Sequence, residues 1–308
     1  MRWNDKRYNN INYNLKEKFG SKVIKLSIDG GFTCPNRDGK VAKNGCIFCS
    51  EMGSGDFAGC KDRSGSIHDQ MNHQILLLKE KWPEAKYIAY FQNFTNTYDT
   101  VDNLRIVFEQ ALSFDHVVGL AIATRSDCLG DDVLDLLDEL NKKTYLWLEI
   151  GLQSYSDKTN NLIRRGYDNS VLEDSLKKLA NLNIETVLHL IAGLPYESDE
   201  DFIKSIRYVN KLNPSGVKIH LLHILKNTEL YNMYIEKPFH IYEYEEYLNL
   251  ICKAIEILDP SIVIHRLTGD GPKDLLFEPR WTLDKRRTLN GITKELNIRN
   301  TYQGIYIQ

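Results

Sequence analysis

Three cysteines crowd near the start of the chain, Cys34, Cys46 and Cys49, spaced Cys-x11-Cys-x2-Cys. Thiolates are soft ligands that suit iron–sulfur clusters and zinc. The two-residue gap lets one tight loop present Cys46 and Cys49 to a single centre, while Cys34 returns across a Gly-rich stretch that includes Gly30, Gly31 and Gly45. Three protein ligands leave a position open, as a centre that activates a second molecule needs. The alternative is a zinc knuckle, with Cys60 or His68 as the fourth ligand. Cys128 and Cys252 lack partners at ligand spacing and are expected in the core or on the surface. Six cysteines in 308 residues are too few for a disulfide scaffold, so the cluster points to metal or redox chemistry in a reducing compartment.

Further along, Glu149 interrupts an apolar run, where an unpaired charge would cost several kcal/mol. It is either a polar contact to a bound cofactor or a satisfied structural carboxylate; Gln153 and Ser154 stand at the same strand end. His220 and His223, three residues apart, fall on opposite faces of a regular strand, so one of them is expected at the site, to handle protons or bind an anionic group. His189 is expected in the core. Tyr98 and Asp99 lie in a long loop where a substrate should dock. Arg164-Arg165 suits bidentate binding of a carboxylate or phosphate, and Lys285-Arg286-Arg287 either phosphate contacts or a solvated helix face.

These residues need a frame, and the hydrophobic pattern supplies one. Near-continuous apolar runs at Val23–Ile28, Tyr87–Gln92, Val117–Thr124, Tyr145–Gly151, Glu185–Ala192 and Gly216–Leu222 have the composition of buried parallel strands. Helical periodicity separates most of them, at Ile67–Trp82, Val101–Ser113, Asp131–Asn141, Val171–Asn181 and Asp199–Leu212, the last capped by Asp199. Six βα units predict an α/β fold, a partial (β/α)6 barrel with its site at the carboxyl ends of the strands. The cysteines, Asn93–Asp99, Arg125-Ser126-Asp127, Gln153-Ser154 and Gly193-Leu194-Pro195 all follow strands. Beyond residue 225 the pattern changes to a helix at Tyr242–Leu258, a strand at Ile262–Leu267 and a last helix from Thr282. The expected organisation is a basic segment (1–22), a catalytic core (23–225) and a carboxy-terminal extension packed on the barrel (226–308).

The cysteine pattern, with Phe48 just before the last cysteine and placed after the first strand of such a chain, resembles the radical S-adenosylmethionine (SAM) superfamily. The similarity is closest to the branch containing the elongator catalytic subunit and the oxygen-independent coproporphyrinogen oxidase. It implies a [4Fe–4S] cluster on Cys34, Cys46 and Cys49 whose unique iron chelates SAM. One electron then cleaves SAM to methionine and a 5′-deoxyadenosyl radical that takes a substrate hydrogen. Trp147–Ser154 is similar to that branch's Glu-x-Gly-x-Gln-Ser strand and Leu190–Pro195 to its fifth strand. Arg164–Asp168 is similar to a turn that helps fix SAM. The resemblance therefore implies cofactor contacts from Phe48, Glu149, Gln153, Ser154, Arg165, Ile191 and Gly193. Where many members carry Gly-Gly-Glu, this chain has Gln92-Asn93-Phe94-Thr95-Asn96-Thr97-Tyr98, which puts the amino-group ligand on Gln92 or Asn93. That run, with Ile122–Leu129 and His220–Lys226, is typical of the narrower YtqA/YhcC group. One branch of it, called MnmL, is implied to convert 5-carboxymethylaminomethyl-uridine at the tRNA wobble position to 5-aminomethyl-uridine. The resemblance further implies an electron donor such as flavodoxin or ferredoxin, and leaves a small-molecule substrate as the alternative. The third possibility is a zinc-stabilised nucleic-acid-binding protein.

Charge is consistent with an RNA partner without requiring one. The net charge is −3, yet residues 1–22 carry +4 and residues 261–308 carry +3, interleaved with Trp3, Tyr8, Tyr13 and Trp281. Ordinary solvated termini are the alternative. No apolar run reaches the ~18 residues of a membrane span, and no leader is expected at Met1–Arg7, so the cytoplasm is the expected compartment.

Overall fold

A computed structural model describes residues 3–53, 58–59 and 65–307. Cys60 lies outside the described residues. In chain order the elements are α1 (Ile11–Phe19), β1 (Val23–Ile28), α2 (Ile67–Leu78), β2 (Lys86–Phe91), α3 (Val101–Leu112), β3 (Val117–Thr124), α4 (Asp131–Lys143), β4 (Tyr145–Gln153), α5 (Asp157–Leu162), α6 (Asn169–Asn181), β5 (Glu185–Ala192), α7 (Asp199–Leu212), β6 (Gly216–Leu221), β7 (Ile224–Leu225), α8 (Glu229–Glu236), α9 (Tyr244–Ile257), β8 (Val263–Arg266), β9 (Leu276–Glu278) and α10 (Lys285–Ile298). The main sheet runs β1-β2-β3-β4-β5-β6-β8, each neighbouring pair parallel, and curls into a half-barrel. The six predicted βα strands are present, and the carboxy-terminal residues expected only to pack on the barrel also contribute a seventh strand, β8.

Alternation along each strand builds two cores. Outward side chains such as Leu26, Phe91, Ile122, Leu148 and Leu190 pack under the crossover helices. Inward side chains at the amino ends, Val23, Ile88, Tyr90, Ala121, Trp147 and Val187, meet Ile11 and Leu15 of α1. Helix α1 is thus the plug of the barrel floor. Asn10 caps its start by accepting from the Tyr13 N–H, and Gly20 ends it at φ +68°. Helix α7 is capped by Ser198, not Asp199: the Ser198 hydroxyl takes the Asp201 N–H while the Asp201 carboxylate takes the Ser198 N–H. Both polar groups one step apart are satisfied only in that register.

The two outer strands of the open sheet are closed by groups that are not strands. On β1, the Ser27 N–H donates to Gln74 Oε1 (2.8 Å) and the Gln74 amide donates back to the Ser27 carbonyl. Gln70 repeats this at Asp29, with 2.8 and 3.0 Å bonds. Four residues apart on α2, the two glutamines line up with Ser27 of β1 and Asp29 just beyond its end. On β8, the Ile264 N–H donates to the Asn9 carbonyl at 2.7 Å.

Of the basic residues at the amino end, Lys6 and Arg7 are engaged within the protein. Arg7 donates to Asn297 Oδ1 (2.6 Å), Asn300 Oδ1 (3.3 Å) and the Thr301 carbonyl (3.1 Å), and Lys6 to Thr293 Oγ1 (3.3 Å). The two ends of the chain bind each other, next to the floor that α1 plugs. No helix among the described residues is long and apolar enough to cross a membrane.

Candidate active site

The carboxyl ends of the strands open onto a cavity of about 580 Å³. Cys34, Cys46, Phe48 and Cys49 form one side of its wall. Their loop is shaped locally by a turn, with the Arg37 N–H on the Cys34 carbonyl (2.8 Å) and the Cys49 N–H on the Cys46 carbonyl (3.0 Å). It is braced on the segment after β4. Buried Asn36 donates to the carbonyls of Arg164 (2.8 Å) and Arg165 (3.1 Å), and the Ile47 N–H donates to the Ile163 carbonyl (3.2 Å). Gly166 permits this approach: at φ +90°, a Cβ there would stand 2.7 Å from Asn36 Oδ1.

Cys46 and Cys49 act on each other through a hydrogen bond between their thiols. The bond from Cys49, with Arg125, Asn36 and Arg37 adding to it, brings the Cys46 thiol down to about 7, and the same bond together with burial pushes Cys49 well up. A thiolate near neutral pH is the ligand form. Among the described residues no three His, Cys, Asp or Glu side chains surround a single ion position. An iron–sulfur cluster does not ask for that, because each thiolate takes its own iron. Three thiols on one cavity wall, with no fourth among its described lining residues, fit that donor set. His68 is not a ligand to it: its Nε2 lies 2.9 Å from the Gln110 carbonyl and 3.1 Å from Ser113 Oγ, and its ring packs on Phe114.

Gln92, Gln153 and Ile191, which the resemblance assigns to SAM, line the cavity. Gln153 adopts φ +61°, and a Cβ on Gly151 would meet its amide nitrogen at 2.5 Å, so that glycine makes room for it. Arg165 also reaches the wall, but its guanidinium is committed elsewhere. It donates to the carbonyls of Leu152 (2.8 Å) and Tyr167 (2.6 and 3.0 Å), to Asn169 Oδ1 (2.8 Å) and, at 3.5 Å, to Asp157. It therefore positions the turn after β4 and has no N–H left for a ligand. Arg164 faces away, in a bidentate pair with Glu229 at 2.5 and 2.6 Å.

Four expected site residues lie off the cavity wall. Asn93 is buried and donates to Asp29 Oδ2 at 2.8 Å, tying the exits of β1 and β2 together. Tyr98 packs under Lys40, 5.1 Å from its ring, and bonds with Asp38, so it props the cysteine loop. Ser154 donates to Glu197 Oε1 at 2.5 Å and accepts from the Ser156 N–H. Gly193, at φ +82°, packs against Tyr242. His220 and His223, expected on opposite faces, both line the cavity, because β6 ends at Leu221 and the chain turns before His223.

The deep end of the cavity is polar. Glu149 accepts from Trp147 Nε1 (3.0 Å), pairs with Lys218, lies 3.0 Å from His189 Nε2 and 3.9 Å from Lys25 Nζ. Lys218 also donates to the Tyr90 hydroxyl at 3.0 Å. Burial opposes the Glu149 charge, but Lys218 and Lys25 outweigh it and hold the carboxyl well below its usual range. Sequence reasoning missed Lys25, Lys218, Arg266 and Asp270 and placed His189 in the core. The signal was present: Lys25, Glu149 and Lys218 are the charges inside apolar strands, each at an inward position.

Burial pushes His220 and His265 well below the ordinary imidazole value and His223 to about 4, while His189 is lowered despite its bond to Glu149. A base whose pKa is lower folded than unfolded binds fewer protons when folded, so its stability contribution is present above ~6.5 and lost as pH falls below it. Glu149 acts in the other window, below its unfolded value near ~4.5. Thermal unfolding of the ligand-free protein is therefore expected at steadily lower temperature from pH 7 to pH 5. The loss is up to ~1.4 kcal/mol per histidine per pH unit. An unchanged melting temperature across that range would contradict the arrangement.

A curled parallel half-barrel with three cysteines on its first exit loop is the architecture of a radical SAM enzyme. The model described as the Radical SAM superfamily matches residues 38–209, and that of the Radical_SAM C-terminal domain matches residues 214–297. The chain is 46% identical over 306 residues to uncharacterized protein YtqA of Bacillus subtilis, covering 99% of this chain and 94% of the relative. It is 34% identical over 284 residues to protein YhcC of Escherichia coli, covering 92% and 90%. A tRNA uridine(34) acetyltransferase of Methanocaldococcus infernus is 27% identical over 167 residues, 52% of this chain and 30% of that protein. The solved structure of Elp3 from the same archaeon, 18% identical, superimposes with a TM-score of 0.68 over 92% of this chain and 64% of that one. The chain belongs to the radical SAM superfamily, in the YtqA/YhcC group, whose cofactors are SAM and a [4Fe–4S] cluster.

Proposed function

We propose that the enzyme modifies a tRNA wobble uridine, taking 5-carboxymethylaminomethyl-uridine to 5-aminomethyl-uridine. The observation that carries the chemistry is that three thiols and a polar floor share one cavity. The bound cluster and SAM supply an organic radical that takes hydrogen from the substrate. Cys34, Cys46 and Cys49 hold the cluster, and Phe48, Gln92, Gln153 and Ile191 flank SAM. His220 and His223 face the substrate and serve it as neutral hydrogen-bonding or proton-handling groups. Loss of a hydrogen atom and then of one electron from the carbon between the amine and the carboxylate, the electron returning to the bound cluster, would leave a C=N bond that water splits into glyoxylate and the free amine; the barrel's part is to hold that carbon in place.

Two observations support RNA as the carrier. One is relatedness to a protein named for tRNA uridine(34) chemistry. The other is Tyr196, which is exposed on the loop leaving β5, with Lys237 Nζ 5.4 Å from its ring. An open aromatic face beside a cation suits an unstacked base and its phosphate. Mass spectrometry of tRNA nucleosides from a strain lacking the gene is expected to show 5-carboxymethylaminomethyl-uridine accumulating and 5-aminomethyl-uridine derivatives lost. An unchanged wobble profile would leave a small-molecule substrate.

A further inference from the structure

The deep end of the cavity has more basic groups than acidic ones. Among the described residues, Glu149 on the wall pairs with Lys218 and Lys25 behind it, and Asp270 is shared by Arg266 (3.1 Å) and, farther out, Lys285 (2.7 Å). Around these pairs stand four imidazoles. His189 is bonded to Glu149 and lies 5.5 Å, ring to ring, from His220. His220 Nε2, His223 Nε2 and His265 Nδ1 are each buried with no hydrogen-bond partner among the described residues. His220, His223, Arg266 and Asp270 are on the cavity wall.

Orphaned buried nitrogens are costly and call for a partner. A metal cation is a poor one, because two lysines and an arginine repel it and no three donors surround an ion position among the described residues. An apolar ligand would leave the nitrogens unpaired. A small anion answers both deficits, offering lone pairs to imidazole N–H groups and the negative charge the cluster lacks. The imidazoles are held neutral by burial and Arg266 is already half engaged by Asp270, which matches a two-oxygen monoanion better than a phosphate dianion.

We propose that this end of the cavity is a carboxylate subsite, where His220, His223 and Arg266 receive a carboxylate of the substrate while Glu149 fixes Lys218 beneath it. This names a group the substrate carries. It shares the cavity with the function above and is independent of whether that group arrives on RNA or on a free acid.

The test uses the holoenzyme, with its cluster and saturating SAM, titrated anaerobically by calorimetry. The probes are 5-carboxymethylaminomethyl-uridine, the same nucleoside as its primary amide, N-methylglycine and inorganic phosphate. The acid is expected to bind at least about tenfold more tightly than its amide. That preference should shrink to about twofold or less in both His220→Gln and Arg266→Gln, judged only in variants that retain iron. Equal affinities in the unaltered enzyme overturn the proposal without any variant, as does a preference that survives both substitutions. Acid binding seen only without SAM would assign the subsite to the cofactor's own carboxylate, and phosphate binding more tightly than the acid would replace carboxylate with phosphate; either overturns it. N-methylglycine bound through the same two residues, with the nucleoside not bound, supports the subsite and counts against the tRNA function.

Discussion

Alanine in place of Cys34, Cys46 or Cys49 is expected to abolish the iron–sulfur centre. Changes in groups that merely orient metal ligands cost ~10–100-fold in affinity, and removal of a ligand costs more. The other described thiols lie off the cavity wall: Cys252 is buried within α9, and Cys128 sits beyond β3, where burial followed by Asp127 pushes its thiol up to about 12. Each variant, reconstituted anaerobically, should lack the cluster's visible absorption, bind iron at background level and leave SAM uncleaved. Cys128→Ala and Cys252→Ala should keep full iron. Cys60→Ala decides between the two original possibilities for the cysteines, since iron retained there confirms three ligands and iron lost there requires a fourth. Zinc bound in place of iron by the unaltered protein would sink the enzyme reading altogether.

The largest stability effect is expected at Glu149. Its carboxylate is 1% exposed and is the counter-charge for Lys218, itself 2% exposed. Glu149→Ala strands that ammonium in the barrel, a change that costs ~3–5 kcal/mol for buried pairs. Lys25, at the open seam between β1 and β8, has a route to water and adds less. The double change Glu149→Leu with Lys218→Leu removes both charges and should recover most of the loss, because well-packed apolar groups replace buried pairs at little cost. Urea unfolding of the three proteins measures this. A single variant within ~1 kcal/mol of the parent, or a double variant no more stable than the single, would show that the pair does not hold the barrel together.

How much of this was legible beforehand depended on how local each signal was. Strands buried on both faces announce themselves by continuous apolar runs, and β1, β3 and β5 coincide with the predicted spans. The three cysteines are likewise close in sequence, and the structure places them on one cavity wall. Contacts between distant segments were not legible. Nothing in the spacing of Arg165 says that its donors are consumed by Leu152, Tyr167 and Asn169, nor that Asn36 would dock on that turn. Regular-strand geometry separated His220 from His223, but the strand stops between them. The floor network joins β1, β4, β5 and β6, and its charges are visible one strand at a time, whereas their meeting is a property of the curl.

The closures on β1 and β8 bear on how this protein behaves before and after it meets its cofactors. An exposed strand edge is a template on which another chain can pair, and a seven-stranded open sheet has two of them. Gln70 and Gln74 imitate a neighbouring strand on one side, at Ser27 and Asp29, and the segment before α1 does so at Ile264 on the other, so part of each hydrogen-bonding row is already taken. Lys25 and Arg266, inward charges on those same two strands, add the repulsion that discourages stacking. A chain that loses these closures would keep its active-site residues and still be drawn into edge-to-edge aggregation. Its resistance to such pairing therefore rests on residues other than the three cysteines.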